Sequence, residues 1–171
     1  MQNKLFIILA ALVILAVGAV LIFRNNEVAP LPSFTDTGLN RDIFLYYYNP
    51  DADKDAAGNI LCSRAGLVPV TRSISSTTTP IQDAVRLLLK GGITESEKAA
   101  GITTEFPLPA LELVGADLDS GVLTLEFLDP NSATSGGSCR AVILWYQIEA
   151  TAKQFADIND VRYLPGTLFQ P

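Results

Sequence analysis

From Leu5 to Phe23 the chain reads LFIILAALVILAVGAVLIF, nineteen residues without a charge. No other stretch restricts the fold so strongly, because a helix with no polar face cannot lie on the surface of a domain in water. As a helix it spans about 28 Å at roughly 1.5 Å per residue, close to the hydrocarbon thickness of a bilayer. A cleaved signal peptide is the alternative. Its apolar core usually runs about 7 to 15 residues, and here VLIF continues past the small residues Ala16-Val17-Gly18-Ala19. No cysteine follows closely enough to take a lipid. The sequence therefore predicts an uncleaved signal-anchor within residues 1–24, with the membrane as its partner over residues 5–23. Lys4 and the amino terminus precede the segment and Arg24 follows it. That charge excess places the remainder outside the cytoplasm, in a single-pass cell-membrane protein.

Residues 25–40 carry Pro30, Pro32 and scattered Ser, Thr and Asn with no sustained period, the composition of a linker. Residues 41–171 are enough for one domain with its own core. Only Lys4 and Arg24 of the twelve basic residues precede residue 25, so ten basic residues face eighteen acidic ones beyond the anchor, a net charge of −8. A phosphate-backbone binder needs a concentrated positive face. The expected partners therefore do not include nucleic acid, nor anionic lipid gripped by charge alone.

Within the domain, DIFLYYY (42–48) reads as a strand and GLVPVTRSI (66–74) as a second. In the second, Val68, Val70, Arg72 and Ile74 share one side, and Pro69 marks an edge or a bulge. Thr79-Pro80-Ile81-Gln82 predicts a capped helix start with Gln82 in a capping box. Ile81, Ala84, Val85 and Leu88 then recur at helical spacing, and Gly91-Gly92 ends the helix. TESEKAAG reads as a short extra turn. LELVGADL (111–118) and VLTLEFL (122–128) flank the turn Asp119-Ser120-Gly121, with Leu123, Leu125 and Phe127 on the packed face of a hairpin. CRAVILWYQIEATAKQF carries an apolar stripe of Ala141, Trp145, Ile148, Ala152 and Phe155. A last strand falls at 160–164. The order β-β-α-β-β-α-β, with helices able to cover one face of the strands, predicts a two-layer α+β domain.

The succession GLVPVTRSI, PIQDAVRLLLKGG, AAGITTEFP, LDSGVLTLEF and GGSCRAVILWYQIEATAKQFADINDVRYL resembles the GerMN domain family of sporulation and germination proteins, found in GerM and in LpqB-like lipoproteins. The resemblance covers roughly residues 42–166. It implies a small α+β domain similar to the ring-building motif of secretion and sporulation complexes. It also implies an exported, membrane-attached protein that assembles with or contacts other proteins of the bacterial cell envelope, and no enzyme activity. Where the family's members carry two domains or a lipid-accepting cysteine, this sequence shows one domain and the apolar segment.

The residues themselves offer little chemistry. The chain has no histidine, which removes Ser-His-Asp and Cys-His arrangements and the commonest zinc ligand. Ser-x-x-Lys is absent as well. No cofactor is expected, and the predicted protein is not an enzyme. A hydrolase of wall polymer built on two of Asp117, Asp119, Glu126 and Asp129 is one alternative, and it needs two carboxylates facing each other across a cleft. Gly136-Gly137-Ser138 reads as a flexible loop closed by a serine cap, with an anion cradle as the sharper alternative.

Two features remain as candidate sites. In NPDADKDAAGNILC (49–62), Asp51, Asp53 and Asp55 alternate as in a calcium loop, the basis for a second alternative, a weak calcium-binding adhesion module. A hand-type loop also wants glycine at its sixth position and glutamate at its twelfth. Counted from Asp51 those positions hold Ala56 and Cys62, so the favoured reading is a solvated loop with no bound metal. Its far end is pinned by a Cys62–Cys139 disulfide, expected in an oxidising compartment and worth about 4 kcal/mol by loop closure. Arg72, Tyr46 and Tyr48 are the candidate partner contacts, Arg72 for a carboxylate and the tyrosines for a contact surface.

Overall fold

The computed structural model of the chain describes residues 40–170. The apolar stretch 5–23 and the linker before residue 40 lie outside the described residues, and the transmembrane expectation lies there with them. Among the described residues no helix is long and apolar enough to cross a membrane.

Strand β1 (Asn40–Tyr48) pairs antiparallel with β2 (Leu67–Ser75), with Tyr46 opposite Pro69. On β2 the alternation follows the sequence: Val70 is buried, Val68, Arg72 and Ile74 are half-buried, and Pro69, Thr71 and Ser73 face solvent. The pair forms a sheet of its own. β2 is thus an edge strand, where the missing N–H of Pro69 is tolerated. β1 is buried on both faces from Ile43 to Leu45 and again at Tyr47 and Tyr48. Its edge away from β2 is closed by other parts of the chain. The Phe44 N–H donates to Gln154 Oε1 at 2.7 Å, and Gln154 Nε2 donates to the Phe44 carbonyl at 2.6 Å. The Tyr46 N–H reaches Thr151 Oγ1 at 3.0 Å, and Tyr48 exchanges backbone bonds with Thr103.

Helix α1 (Pro80–Leu89) buries Ala84, Val85 and Leu88, the face that the spacing predicts. Its start differs from the expectation. The Thr79 side chain makes no cap bond to the helix backbone; its hydroxyl donates to Asp83 Oδ2 at 3.3 Å. With φ −126° and ψ 50°, Thr79 lacks the extended backbone that aims a hydroxyl at the third helical amide. The capping box belongs instead to the short helix α2 (Glu95–Ala99), between Thr94 and Glu97. Gly91 ends α1 with φ +65°, and a methyl group there would collide with the carbonyl of Phe106.

Strands β3 (Glu112–Asp119) and β4 (Val122–Leu128) form the expected hairpin around Ser120-Gly121, with φ of +50° and +83° at the two turn residues. A register shift at Val114 bulges β3. Helix α3 (Ser138–Lys153) then carries the chain to β5 (Asp160–Leu164), which lies parallel to β4. The element order is as read from sequence, with α2 as the extra turn. The strands divide into two sheets, β1–β2 and β3–β4–β5, a division that local patterning does not encode.

One core joins the parts: Ile43, Leu45 and Tyr47 of β1, Val85 and Leu88 of α1, Leu123 and Leu125 of β4, and Leu144 and Ile148 of α3. Each such aliphatic side chain contributes about 1.5–3 kcal/mol on burial. On α3, Ala141, Ile148 and Ala152 are buried as expected and Trp145 is only partly covered; Phe155, expected in the same stripe, falls past the helix end and is half-buried. The helix buries a wider surface than one stripe, including Leu144, Gln147 and Thr151, because it packs against β1, α1 and β5.

Candidate functional site

The aspartate-rich connection between β1 and β2 turns its three carboxylates to three different tasks. Asn49 Oδ1 accepts the Asp51 N–H and starts a 3-10 turn, and Asp51 pairs with Lys54 Nζ at 2.6 Å on the surface. Asp53 is buried. It accepts from the Ser63 N–H at 2.6 Å, from Ser63 Oγ and from Tyr48 Oη, while its own carbonyl takes the Leu61 N–H at 2.9 Å. The Ser63 and Tyr48 bonds hold the Asp53 carboxyl below its ordinary range. Burial, and then the bond to Asp53, raise the Tyr48 phenol far above its own. Asp55 closes the loop tip, accepting from the Ala57 and Asn59 N–H groups, each at 2.8 Å, and from Asn59 Nδ2 at 3.0 Å. Among the described residues no three His, Cys, Asp or Glu side chains gather where they could hold a metal ion. The structure does not bring Asp51, Asp53 and Asp55 to a common point.

The loop ends at a disulfide. Cys62 bonds Cys139, the second residue of α3, with the two Cα atoms 5.3 Å apart. The pairing anticipated from sequence is present and ties the loop to a core helix. At the α3 start the N-cap is Gly137, without a side-chain cap bond, and Ser138 is the first helical residue instead of the predicted serine cap.

Arg72 is occupied within the chain. Its Nη1 and Nη2 donate to the two oxygens of Glu97, each at 2.8 Å, and Nη2 also reaches the Gly92 carbonyl at 2.8 Å. The same Glu97 completes the α2 capping box through the Thr94 N–H. The Arg72 bonds, helped by that amide against the opposing effect of burial, bring the Glu97 carboxyl down to about 2. A partner's carboxylate would have to share or break this fork. Of the two candidate tyrosines, Tyr48 is buried with its hydroxyl spent on Asp53, whereas Tyr46 is half-buried. The neighbouring Tyr47 is fully buried, and its hydroxyl has no hydrogen-bond partner among the described residues.

The four carboxylates weighed for hydrolysis do not share a cleft. Asp117, Asp119 and Glu126 are exposed along the β3–β4 hairpin. Asp129 accepts from the Ala133 and Thr134 N–H groups and from Thr134 Oγ1, shaping the loop before α3. Three further ion pairs escaped sequence reasoning. Arg64 lies 2.5 Å from the buried Glu149, which also pairs with Lys153 at 2.8 Å, and the Arg64 guanidinium sits 3.9 Å over the Tyr146 ring. Arg140 spans Glu105 and the carbonyls of Ser135 and Ala133. The Glu149–Lys153 spacing of four residues was a readable signal; the long-range partners were not.

Two sheets packed with three helices, a hairpin followed by a helix and a parallel strand, and polar side chains spent on bracing loops define a small mixed α+β domain. The family described as "Sporulation and spore germination" (Germane) matches residues 44–164, and the chain belongs to it. Its fold is similar to the tandem GerMN domains of the sporulation protein GerM from Bacillus subtilis, with 21% identity and a TM-score of 0.54. That comparison covers 84% of this chain and 45% of the other, so this chain spans under half the length of the tandem structure. The first GerMN domain of the same protein aligns at 17% identity and a TM-score of 0.45, over 72% of this chain and 84% of that one. A comparison with curated proteins finds no match.

Proposed function

We propose that the chain is a non-catalytic, membrane-anchored domain that stands outside the cytoplasm and contacts or assembles with other proteins of the bacterial cell envelope. The observation that carries this reading is the Cys62–Cys139 disulfide, since such bonds persist in oxidising compartments. The uncharged stretch Leu5–Phe23 supports the anchor, and membership of a sporulation and germination family supports a role in the envelope. The inward commitment of Arg72, Asp53 and Glu149 supports binding over chemistry, because none is left poised on a reacting atom. Two measurements test the proposal. A reporter enzyme that works only after export, fused at the carboxyl end, is expected to be active; activity only for a cytosolic reporter refutes the topology. Crosslinking in intact cells with mass spectrometry is expected to join the domain to envelope proteins, and recovery of cytosolic neighbours alone refutes the role.

A further inference from the structure

The β3–β4–β5 sheet is packed on one side, where Leu113, Leu125, Phe127 and Tyr163 join the core. Side chains alternate along a strand, so Glu112 and Val114 of β3, Glu126 and Leu128 of β4 and Leu164 of β5 stand on the opposite side. Among the described residues nothing covers them: Val114 is 52% exposed, Leu128 51% and Leu164 47%. Leu128 pairs across the strands with Glu112, and Leu164 with Glu126. Val114 stands in the β3 bulge, between the positions paired with Phe127 and Glu126. The three aliphatic groups therefore share one end of the face, and such exposed neighbours mark contact surfaces.

The charge of this sheet is one-sided. Its strands hold five carboxylates, Glu112, Asp117, Asp119, Glu126 and Asp160, and one basic residue, Arg162, which lies 3.9 Å from Asp160. The side chains of Glu112, Asp117 and Glu126 have no hydrogen-bond or ion-pair partner among the described residues, so they are open to a cation from outside. A second copy has no free basic face to supply it. Eight of the ten basic residues beyond position 25 pair with carboxylates of their own chain. Anionic lipid would be repelled.

We propose that the outer face of β3–β4–β5 binds a basic amphipathic helix of another envelope protein. The aliphatic side chains of that helix cover Val114, Leu128 and Leu164, and its lysines or arginines meet Glu112, Asp117 and Glu126. The inference rests on the protein-contact reading above and gives it a surface and a partner chemistry. Three strands and the seven residues of β4 make a face roughly 10 Å wide and 23 Å long. That is the width of one helix and the length of about fifteen helical residues. A helix laid on the open side of a sheet completes a layer, and opposed charge fixes its orientation.

The test uses the full chain in intact cells, with a photoreactive phenylalanine analogue in place of Leu128 or, as a control, of Ser73 on β2; both positions are exposed. Captured peptides are sequenced by mass spectrometry. Position 128 is expected to capture one envelope protein through a segment with apolar residues at helical spacing and Lys or Arg beside them. Position 73 is not. The Glu112→Gln/Glu126→Gln variant changes two exposed positions, so it should keep the wild-type circular dichroism. It should lose capture about tenfold. The captured segment, synthesised and titrated into the detergent-dispersed chain, should bind, with a similar loss in the variant and in about 0.5 M salt. Capture of a second copy, of lipid or of a segment without basic residues overturns the inference. So does equal capture from position 73, or binding that neither the variant nor salt weakens. If position 128 captures nothing while chemical crosslinks still join the domain to envelope proteins, this face is excluded and the broader reading stands.

Discussion

The Arg72–Glu97 fork joins β2 to α2 and makes a quantitative prediction about acid. In the folded chain the Glu97 carboxyl titrates at about 2 instead of an ordinary 4.5, mainly because two guanidinium N–H groups bond it. At 1.36 kcal/mol per pH unit this drop corresponds to at most about 3.4 kcal/mol. Both side chains retain some water contact, Arg72 at 22% and Glu97 at 17% exposure. Solvent screening roughly halves the figure, to about 1.5–2 kcal/mol. The folded pKa lies below the unfolded one, so this stabilisation is complete above pH 4.5 and is lost as the pH falls toward 2. Asp53, Asp129 and Glu149 are also held below their ordinary range, so the wild type alone cannot isolate Glu97. The difference between wild type and Glu97→Gln can. Urea unfolding from neutral pH downward should show a gap of about 1.5–2 kcal/mol at pH 7 that closes as pH 2 is approached. A gap of constant size across that range refutes the argument, because it would mean that the fork contributes through packing and not through charge.

Other perturbations have distinct outcomes. Cys62 and Cys139 are 77 positions apart, so Cys62→Ser/Cys139→Ser should lower unfolding free energy by about 4 kcal/mol on the chain-entropy account; a thiol assay of the unreduced protein should find no free sulfhydryl. Gly91→Ala must adopt a left-handed backbone and meet the Phe106 carbonyl, for which a loss of about 2–4 kcal/mol in denaturant titration is expected. Tyr47→Phe removes a buried hydroxyl that has no partner among the described residues. It should leave stability unchanged or raise it by up to about 1 kcal/mol, and a loss above that size would reveal a bond to this hydroxyl.

Much of the fold was legible because each element carries a local signal. The alternation in β2, the spacing of Ala84, Val85 and Leu88 and the Ser120-Gly121 turn are short-range patterns, and each matches the observed element. The α1 cap was misread because Thr79-Pro80-Ile81-Gln82 supplies the right residue types, whereas capping depends on the backbone angles of Thr79, which neighbours set. The candidate site was legible in its covalent part, since the chain has two cysteines and a single pairing open to them. Its polar part was not. Arg72 finds Glu97 twenty-five residues away, and Gln154 finds Phe44 at a separation of 110. Such distances follow from packing, and nothing in the residues adjoining Arg72 or Phe44 names the partner.

Those long-range bonds also bear on how the domain can be approached. A two-stranded sheet has two open edges, each a template for another strand. Here Gln154 and Thr151 occupy the Phe44 and Tyr46 positions of one edge, and Thr103 occupies Tyr48. The other edge carries Pro69, which lacks an N–H, and Arg72 Nη1 donates to the Thr71 carbonyl. Strand addition at the β1–β2 sheet is blunted on both sides. A partner meeting this sheet would therefore find side chains in place of free backbone groups. The bonds that close one edge of the sheet, and the proline with the Arg72 bond on the other, thus leave little unpaired backbone for indiscriminate strand pairing.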